Sequence, residues 1–186
     1  MIPALTGILA PHGLATSFES IQTVTVGAGG SSTISFSSIS GTYQHLQLRY
    51  IARDTGTGGG GDNLAIRANS DSGTNYTYHV LYGNGSAPGA SGNTSRTYSY
   101  TGLVSNGGNT ASVFTAGVVD ILDYSSSGSK YKTFRSLSGY DANGSGIVAM
   151  ESCVWMNTNA ITSLDITCTN GNYVQFSSFA LYGVKA

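Results

Sequence analysis

Charge is the scarcest property of this chain. Only 9% of its 186 residues are Asp, Glu, Lys or Arg, against ~25% in an ordinary soluble domain. The signs nearly balance, with 8 basic and 9 acidic residues and a formal net charge of −1. The basic residues are scattered, which excludes the clustered Lys and Arg that hold nucleic acid. Proline is also rare, at 3 residues, and two of these, Pro3 and Pro11, interrupt the mildly apolar opening MIPALTGILAPHGLATSFES. That opening carries no Lys or Arg, so it lacks the basic start and unbroken apolar run of a secretory signal. No apolar run approaches the ~18 residues of a membrane-spanning helix, so neither a membrane nor a nucleic acid is an expected partner.

Cysteine is limited to Cys153 and Cys168, whose spacing matches no zinc motif. They fall in the strand-like segments IVAMESCVWM and AITSLDITC. A hairpin through Asn157–Ala160 would set Cys153 opposite a residue near Leu164, and Cys168 opposite a residue near Ala149. That separation is too long for a disulfide, whose Cα atoms lie roughly 4.4–6.8 Å apart. Two reduced, unpaired thiols are expected.

What the chain does contain is Gly (26 residues), Tyr (12 residues), many Ser, Thr and Asn, and a hydrophobic share of 40%. That share separates it from disordered chains, which lack core-forming residues, and the length suits one domain with a sizeable core. Apolar and polar residues alternate with a period of two in Thr33–Ser37, Gln44–Arg53 and Thr162–Cys168, the pattern of half-buried strands. Further strands are expected at Ser20–Val26, Asn63–Ala68, Tyr76–Tyr82, Thr97–Val104, Val113–Asp123, Tyr131–Leu137, Ile147–Met156 and Tyr173–Tyr182. Turn signals separate them at Gly27–Gly30, Gly58–Gly61, Gly83–Gly85, Asn106–Gly108, Asn143–Gly146 and Asn170–Gly171. No segment carries a helical apolar stripe, and no fixed repeat points to a solenoid or propeller. The expected fold is all-β: a single antiparallel β-sandwich, jelly-roll-like, over residues 20–186, with an irregular, extended N-terminal arm over residues 1–19. Thr55–Gly61 reads as a mobile glycine tract and Gly83–Arg96 as an exposed low-complexity loop.

Catalytic signatures are missing. There is no G-x-S-x-G elbow, phosphate loop or H-E-x-x-H. Gly56, Gly58 and Gly61 spell G-x-G-x-x-G, but the DNLAIRA that follows reads as a strand, whereas the dinucleotide fingerprint opens a helix. His12, His45 and His79 are isolated. Asp54, Asp62 and Asp71 lie in or near glycine-rich loops, where calcium sites form, without the spacing of an EF-hand. Asp120 and Asp123 share an apolar strand with nothing to mark them as a paired glycosidase acid and base. No catalytic residue, metal or cofactor is expected, and the chain is expected not to be an enzyme. Four N-x-S/T sequons, at Asn75, Asn84, Asn93 and Asn143, are what chance gives at this composition.

Two groups stand out as contact surfaces. Tyr76, Tyr78, Tyr82, Tyr98 and Tyr100 cluster in NYTYHVLYG and RTYSY, and tyrosine is favoured at protein interfaces and on sugar-binding faces. Ile2, Leu5, Ile8, Leu9, Leu14 and Phe18 give the arm an apolar character without a strand pattern to bury it, as in a segment that docks on a partner.

The runs FESIQTVTVGAGGSSTISFSSISGTYQHLQLRYIARD, DNLAIRANSDSGTNYTYHVLYGNGS and VVDILDYSSSGSKYKTFRSLSGYDANGSG, with the ending SSFALYGVKA, resemble small virion proteins of tailed bacteriophages. The resemblance covers nearly the whole chain from Phe18 onward and rests on phrasing rather than on a catalytic motif. It implies a β-sandwich, often trimeric, that packs on other virion proteins after synthesis in the bacterial host cytoplasm. A capsid decoration or cement protein bound to the major capsid protein is the first expectation, with the capsid surface favoured over the tail. A tail fibre or receptor-binding module that contacts host glycans is the alternative, and a carbohydrate-binding module is a more distant one.

Overall fold

The computed structural model describes residues 17–185. They form twelve strands and no helix: β1 (Phe18–Thr25), β2 (Ile34–Phe36), β3 (His45–Ala52), β4 (Asp62–Ala68), β5 (Tyr76–Gly83), β6 (Pro88–Arg96), β7 (Ser99–Val104), β8 (Thr115–Leu122), β9 (Lys132–Asp141), β10 (Gly146–Trp155), β11 (Leu164–Cys168) and β12 (Ser178–Val184). A large sheet of eight strands runs β1-β12-β3-β8-β9-β10-β5-β6, and a small sheet of four runs β2-β11-β4-β7. Every strand pairing is antiparallel.

The wiring explains the shape. The hairpins β5–β6 and β9–β10 lie side by side on one flank of the large sheet. The remaining strands form β1-β12-β3-β8 over β2-β11-β4-β7, and the chain crosses between the sheets eight times, at β1–β2, β3–β4, β7–β8 and β11–β12 and again at β2–β3, β4–β5, β6–β7 and β10–β11. This interleaved order makes an antiparallel β-sandwich whose large sheet is widened by the two hairpins. The crossings β1–β2, β3–β4, β7–β8 and β11–β12 meet at one end of the sandwich, where Tyr173 bridges to both Ser31 and Asp54, and Arg53 to Ser105.

Alternation places the core. In β3, Leu46, Leu48, Tyr50 and Ala52 point inward while Arg49 and Ile51 point out. Val119, Ile121, Phe134, Trp155, Phe179 and Leu181 extend this inner face across the large sheet. Ile34, Phe36, Leu64, Ile66, Leu164 and Ile166 meet it from the small sheet. Each such side chain contributes roughly 1.5–3 kcal/mol on burial. Tyr50 shows how tight the fit is: its ring stacks on Phe179 at 6.0 Å and its hydroxyl donates to Leu103 O at 2.9 Å. Gly117 on the neighbouring strand makes room, since a Cβ there would overlap the Tyr50 ring.

Four expectations need correction. Gly83–Arg96 is not an exposed loop beyond its turn, because Pro88–Arg96 is β6 and pairs with β5. Cys153 and Cys168 do not lie on a hairpin: β10 pairs with β9 and β5 in the large sheet, whereas β11 pairs with β2 and β4 in the small one. Both cysteines are free, as expected, but for a different reason. The strand expected from Tyr173 begins only at Ser178, because Tyr173 is held by bridges at the loop end. Finally, the edge strand β1 includes Phe18 and Glu19, opposite Val184 and Gly183, so these two residues of the expected arm belong to the sheet.

Candidate functional site

Strands β8, β9, β10 and β5 carry apolar side chains on both faces. Their inward residues fill the core. Their outward residues align, because an antiparallel register sets them opposite one another. Val118, Leu137, Met150, Leu81 and Ala90 form one continuous row across β8, β9, β10, β5 and β6. The neighbouring row holds Ile51, Ala116, Gly139, Val148, Gly83 and Pro88. Nothing within the described chain covers this face: Leu137 is 49%, Met150 55%, Leu81 56% and Val148 58% exposed.

The face is not flat. A groove of 880 Å³ runs over Ala116, Gly139 and Val148 toward the glycine-rich turns Gly83–Gly85 and Gly144–Gly146. A second groove, of 890 Å³, lies over Val118, Leu137, Met150 and Leu81, with His79, Asp120 and Arg135 along its border. The polar row beyond is internally matched. Gln47 Nε2 donates to Asp120 Oδ1 at 2.8 Å, and Arg135 Nη2 lies 3.4 Å from Asp120 Oδ2. Arg49 Nε donates to Gln47 Oε1 at 2.8 Å, and its guanidinium covers the rings of Phe18 and Tyr182. An apolar surface bordered by compensated polar groups has the anatomy of a protein contact: an apolar centre inside a polar rim.

The tyrosines divide. Tyr76 is wholly buried, which corrects its assignment as an interface aromatic; its ring stacks on Trp155 at 6.4 Å and its hydroxyl bonds the backbone of Ala68 and Asp71. Tyr78, Tyr82, Tyr98 and Tyr100 are half-buried, at the flank where the large sheet overhangs the small one. Tyr100 packs edge-on to Tyr78 at 4.8 Å and lies 5.1 Å from Tyr98, and Arg96 Nη2 donates to both the Tyr98 and Tyr100 hydroxyls. Burial, followed by the neighbouring Tyr98, pushes the Tyr100 hydroxyl up to about 12. Tyr78, Tyr82 and Tyr100 line a 240 Å³ cleft between the sheets, with Glu151 beside them. The cluster fills an overhang rather than presenting a flat aromatic platform.

Of the arm residues, Phe18 is partly exposed on β1 beneath Arg49. Ile2, Leu5, Ile8, Leu9 and Leu14 lie outside the described residues, as does His12. The other isolated groups have local partners. His45 Nδ1 accepts from the Asp123 amide at 3.0 Å, and Asp123 also pairs with Lys130. His79 lies on the outer face. Asp71 accepts from Trp155, Asn75 and the Gly73 amide. Asp54 and Asp62 approach each other at the loop end, apart from Asp71. Among the described residues no group of three His, Cys, Asp or Glu side chains could hold a metal.

The outer face was missed by the sequence reading, although a signal existed. In IVAMESCVWM the apolar residues occupy both parities, Val148 and Met150 against Ala149, Cys153 and Trp155. A strand apolar on both sides belongs in a sheet covered on both sides. A scan of protein-family models and searches of curated proteins and solved structures find no match to this chain.

Proposed function

We propose that the chain is a non-enzymatic structural protein of a tailed-phage virion, a decoration protein that docks on the capsid shell through the outer face of β8, β9, β10, β5 and β6. The observation that carries this reading is the uncovered apolar row Val118–Leu137–Met150–Leu81–Ala90. Exposed apolar patches of this kind mark interaction surfaces. The shortage of charge agrees, since charged residues are depleted at contact cores. The resemblance of the sequence to phage virion proteins supplies the setting.

Size bears on the mode of attachment. Five strands at ~4.8 Å spacing, each about seven residues long, make a face on the order of 600 Å². A stable interface takes about 800 Å² per partner. The face alone falls short, and the apolar residues Ile2, Leu5, Ile8, Leu9 and Leu14 are the natural supplement. A homotrimer would multiply both contacts, because linked sites raise avidity without new chemistry. The test adds purified chain to particles lacking it and counts bound copies. A copy number on the scale of the shell subunits, lost in a Leu137→Asp/Met150→Asp variant, supports the reading. A copy number on the scale of tail parts would move the protein to the tail. Unchanged occupancy in the variant would remove the outer face from the contact.

A further inference from the structure

The base of the glycine tract between β3 and β4 is closed by two buried carboxylates. Asp54 is 0% and Asp62 5% exposed, and neither forms an ion pair among the described residues. The adjacent cation in sequence, Arg53, turns away and donates its guanidinium to the carbonyls of Asn109, Thr110 and Val113. One oxygen of each carboxylate is satisfied: Gly56 N donates to Asp54 Oδ1 at 2.8 Å, and Asn170 Nδ2 to Asp62 Oδ1 at 2.6 Å. The other oxygen of each, Oδ2, has no donor. The two side chains face each other across bare backbone, since a Cβ on Gly56 would meet both Asp62 Oδ2 and Asp54 Oδ1. Two ionised carboxylates so placed repel each other and lose their hydration. A single proton held between them relieves both penalties.

The pair sits where the chain has least else to hold it. Asp54 follows β3 and donates its amide to Ser105 O at 2.9 Å, and Asp62 opens β4 opposite Val104. Between them runs Thr55–Gly61, in which five of seven residues are glycine. Gly58, Gly59 and Gly60 stand in open space. Such a stretch has wide conformational freedom and few side chains to pack it down. Through Asn170 the pair also reaches the β11–β12 connection, whose Asn172 carbonyl accepts from the Thr55 amide at 3.0 Å.

We infer that Asp54 and Asp62 form a proton-operated clasp: one shared proton closes the base of the Thr55–Gly61 tract, and loss of that proton opens it. Burial, opposed by the Gly56 amide and reinforced by the Asp62 charge, pushes the Asp54 carboxyl up to about 7. In the opened tract the carboxyl meets water and returns to its ordinary 3.8. The closed form therefore binds the proton more tightly than the open one. Its stability is complete below pH 3.8 and is lost as pH rises through about 7. The neighbours leave this window to the pair. Cys168 of β11, Tyr173 of the β11–β12 connection, Tyr50 of β3 and Tyr140 of β9 are the other titratable groups packed around it. Burial raises the three hydroxyls above their ordinary 10 and pushes the thiol up to about 12, so all four stay neutral throughout.

Amide hydrogen exchange of the full chain, followed residue by residue from about pH 5 to about pH 9, tests the clasp. Ordinary exchange quickens about tenfold per pH unit. The amides of Thr55, Gly56 and Asn172 should quicken about 100-fold per unit below pH 7, because opening itself becomes about tenfold easier per unit, and should return to the ordinary slope above it. Asp62→Asn places an amide N–H where the proton sits. It should hold the clasp shut at every pH and give these three amides the ordinary slope throughout. Because a buried substitution can fail to fold, the profile of the unaltered chain decides by itself: an ordinary slope at Thr55, Gly56 and Asn172 across the whole range would overturn the clasp. A steep slope that persists in a folded Asp62→Asn chain would overturn it equally, by assigning the titration to another group.

Discussion

Trp155 and Asp71 show how a single polar contact is made safe inside this sandwich. The indole Nε1–H donates to Asp71 Oδ2 at 2.7 Å, and the carboxylate also accepts from Asn75 Nδ2 at 2.9 Å and the Gly73 amide at 2.8 Å. Burial alone would raise the pKa of Asp71, but these three donors outweigh it and hold the carboxyl below its ordinary 3.8. The folded state therefore binds its proton less readily than the unfolded chain. The resulting stability is present above pH 3.8 and is lost as pH falls through the lowered folded value. Trp155→Phe keeps a ring against Tyr76 but removes the donor, and urea unfolding should show a loss of about 1–3 kcal/mol. Glu151 has the opposite sign. Burial raises its pKa, against the opposing hydrogen bond from Ser136, so stability declines as pH rises from the ordinary 4.5 toward the raised folded value. Glu151→Gln should flatten that decline and exceed the parent in stability above the window; an unchanged pH profile in urea melts would contradict it. Cys153 is buried and its thiol is pushed up to about 12, by burial first and then by the Glu151 charge. Mass analysis after alkylation should find Cys153 unmodified in the native chain and both thiols modified after denaturation.

At the scale of elements, what could be read in the sequence follows from which strands have a wet side. β3 reads as a strand because Leu46, Leu48 and Tyr50 alternate with Gln47 and Arg49, and β11 because Leu164 and Ile166 alternate with Asp165 and Thr167. β6 could not be read, because PGASGNTSR contains few β-forming residues and its extended shape comes from backbone pairing with β5. Tertiary context overrides propensity in such an edge strand. Pairing between sheets was also hidden: Cys153 and Cys168 sit close in sequence, yet the chain crosses to the other sheet between them. The arrangement at the loop end was partly legible. Asp54 and Asp62 stood out as acids beside glycines, but Asn170 and Tyr173 join them only through the crossing between sheets. The uncovered outer face was the least legible, since its row draws one residue from each of five strands. Leu137 and Met150 point away from the core, so Leu137→Asp/Met150→Asp should fold with a stability within about 0.5 kcal/mol per site of the parent. Circular dichroism and a thermal melt check this, and a collapsed melt would mean that the face supports the fold rather than a partner.

For the whole molecule, the fold and the proposed role meet in the asymmetry of the sandwich. One face of the large sheet is partly covered by the small sheet, and the opposite face carries apolar residues that nothing described in the chain covers. The hairpins β5–β6 and β9–β10 supply most of that surface, so the large sheet is widened on the flank where the uncovered apolar row lies. If the arm supplements a face too small to hold alone, as proposed, deleting Met1–Thr16 should leave the sandwich intact and lower occupancy on particles. Whether this face meets the capsid shell, as proposed, is decided by a cryo-electron-microscopy map of the virion. Density for the sandwich is expected on the head, with Leu137, Met150 and Leu81 turned toward the major capsid protein. Density on the head with those residues toward solvent, or density only on the tail, would contradict it.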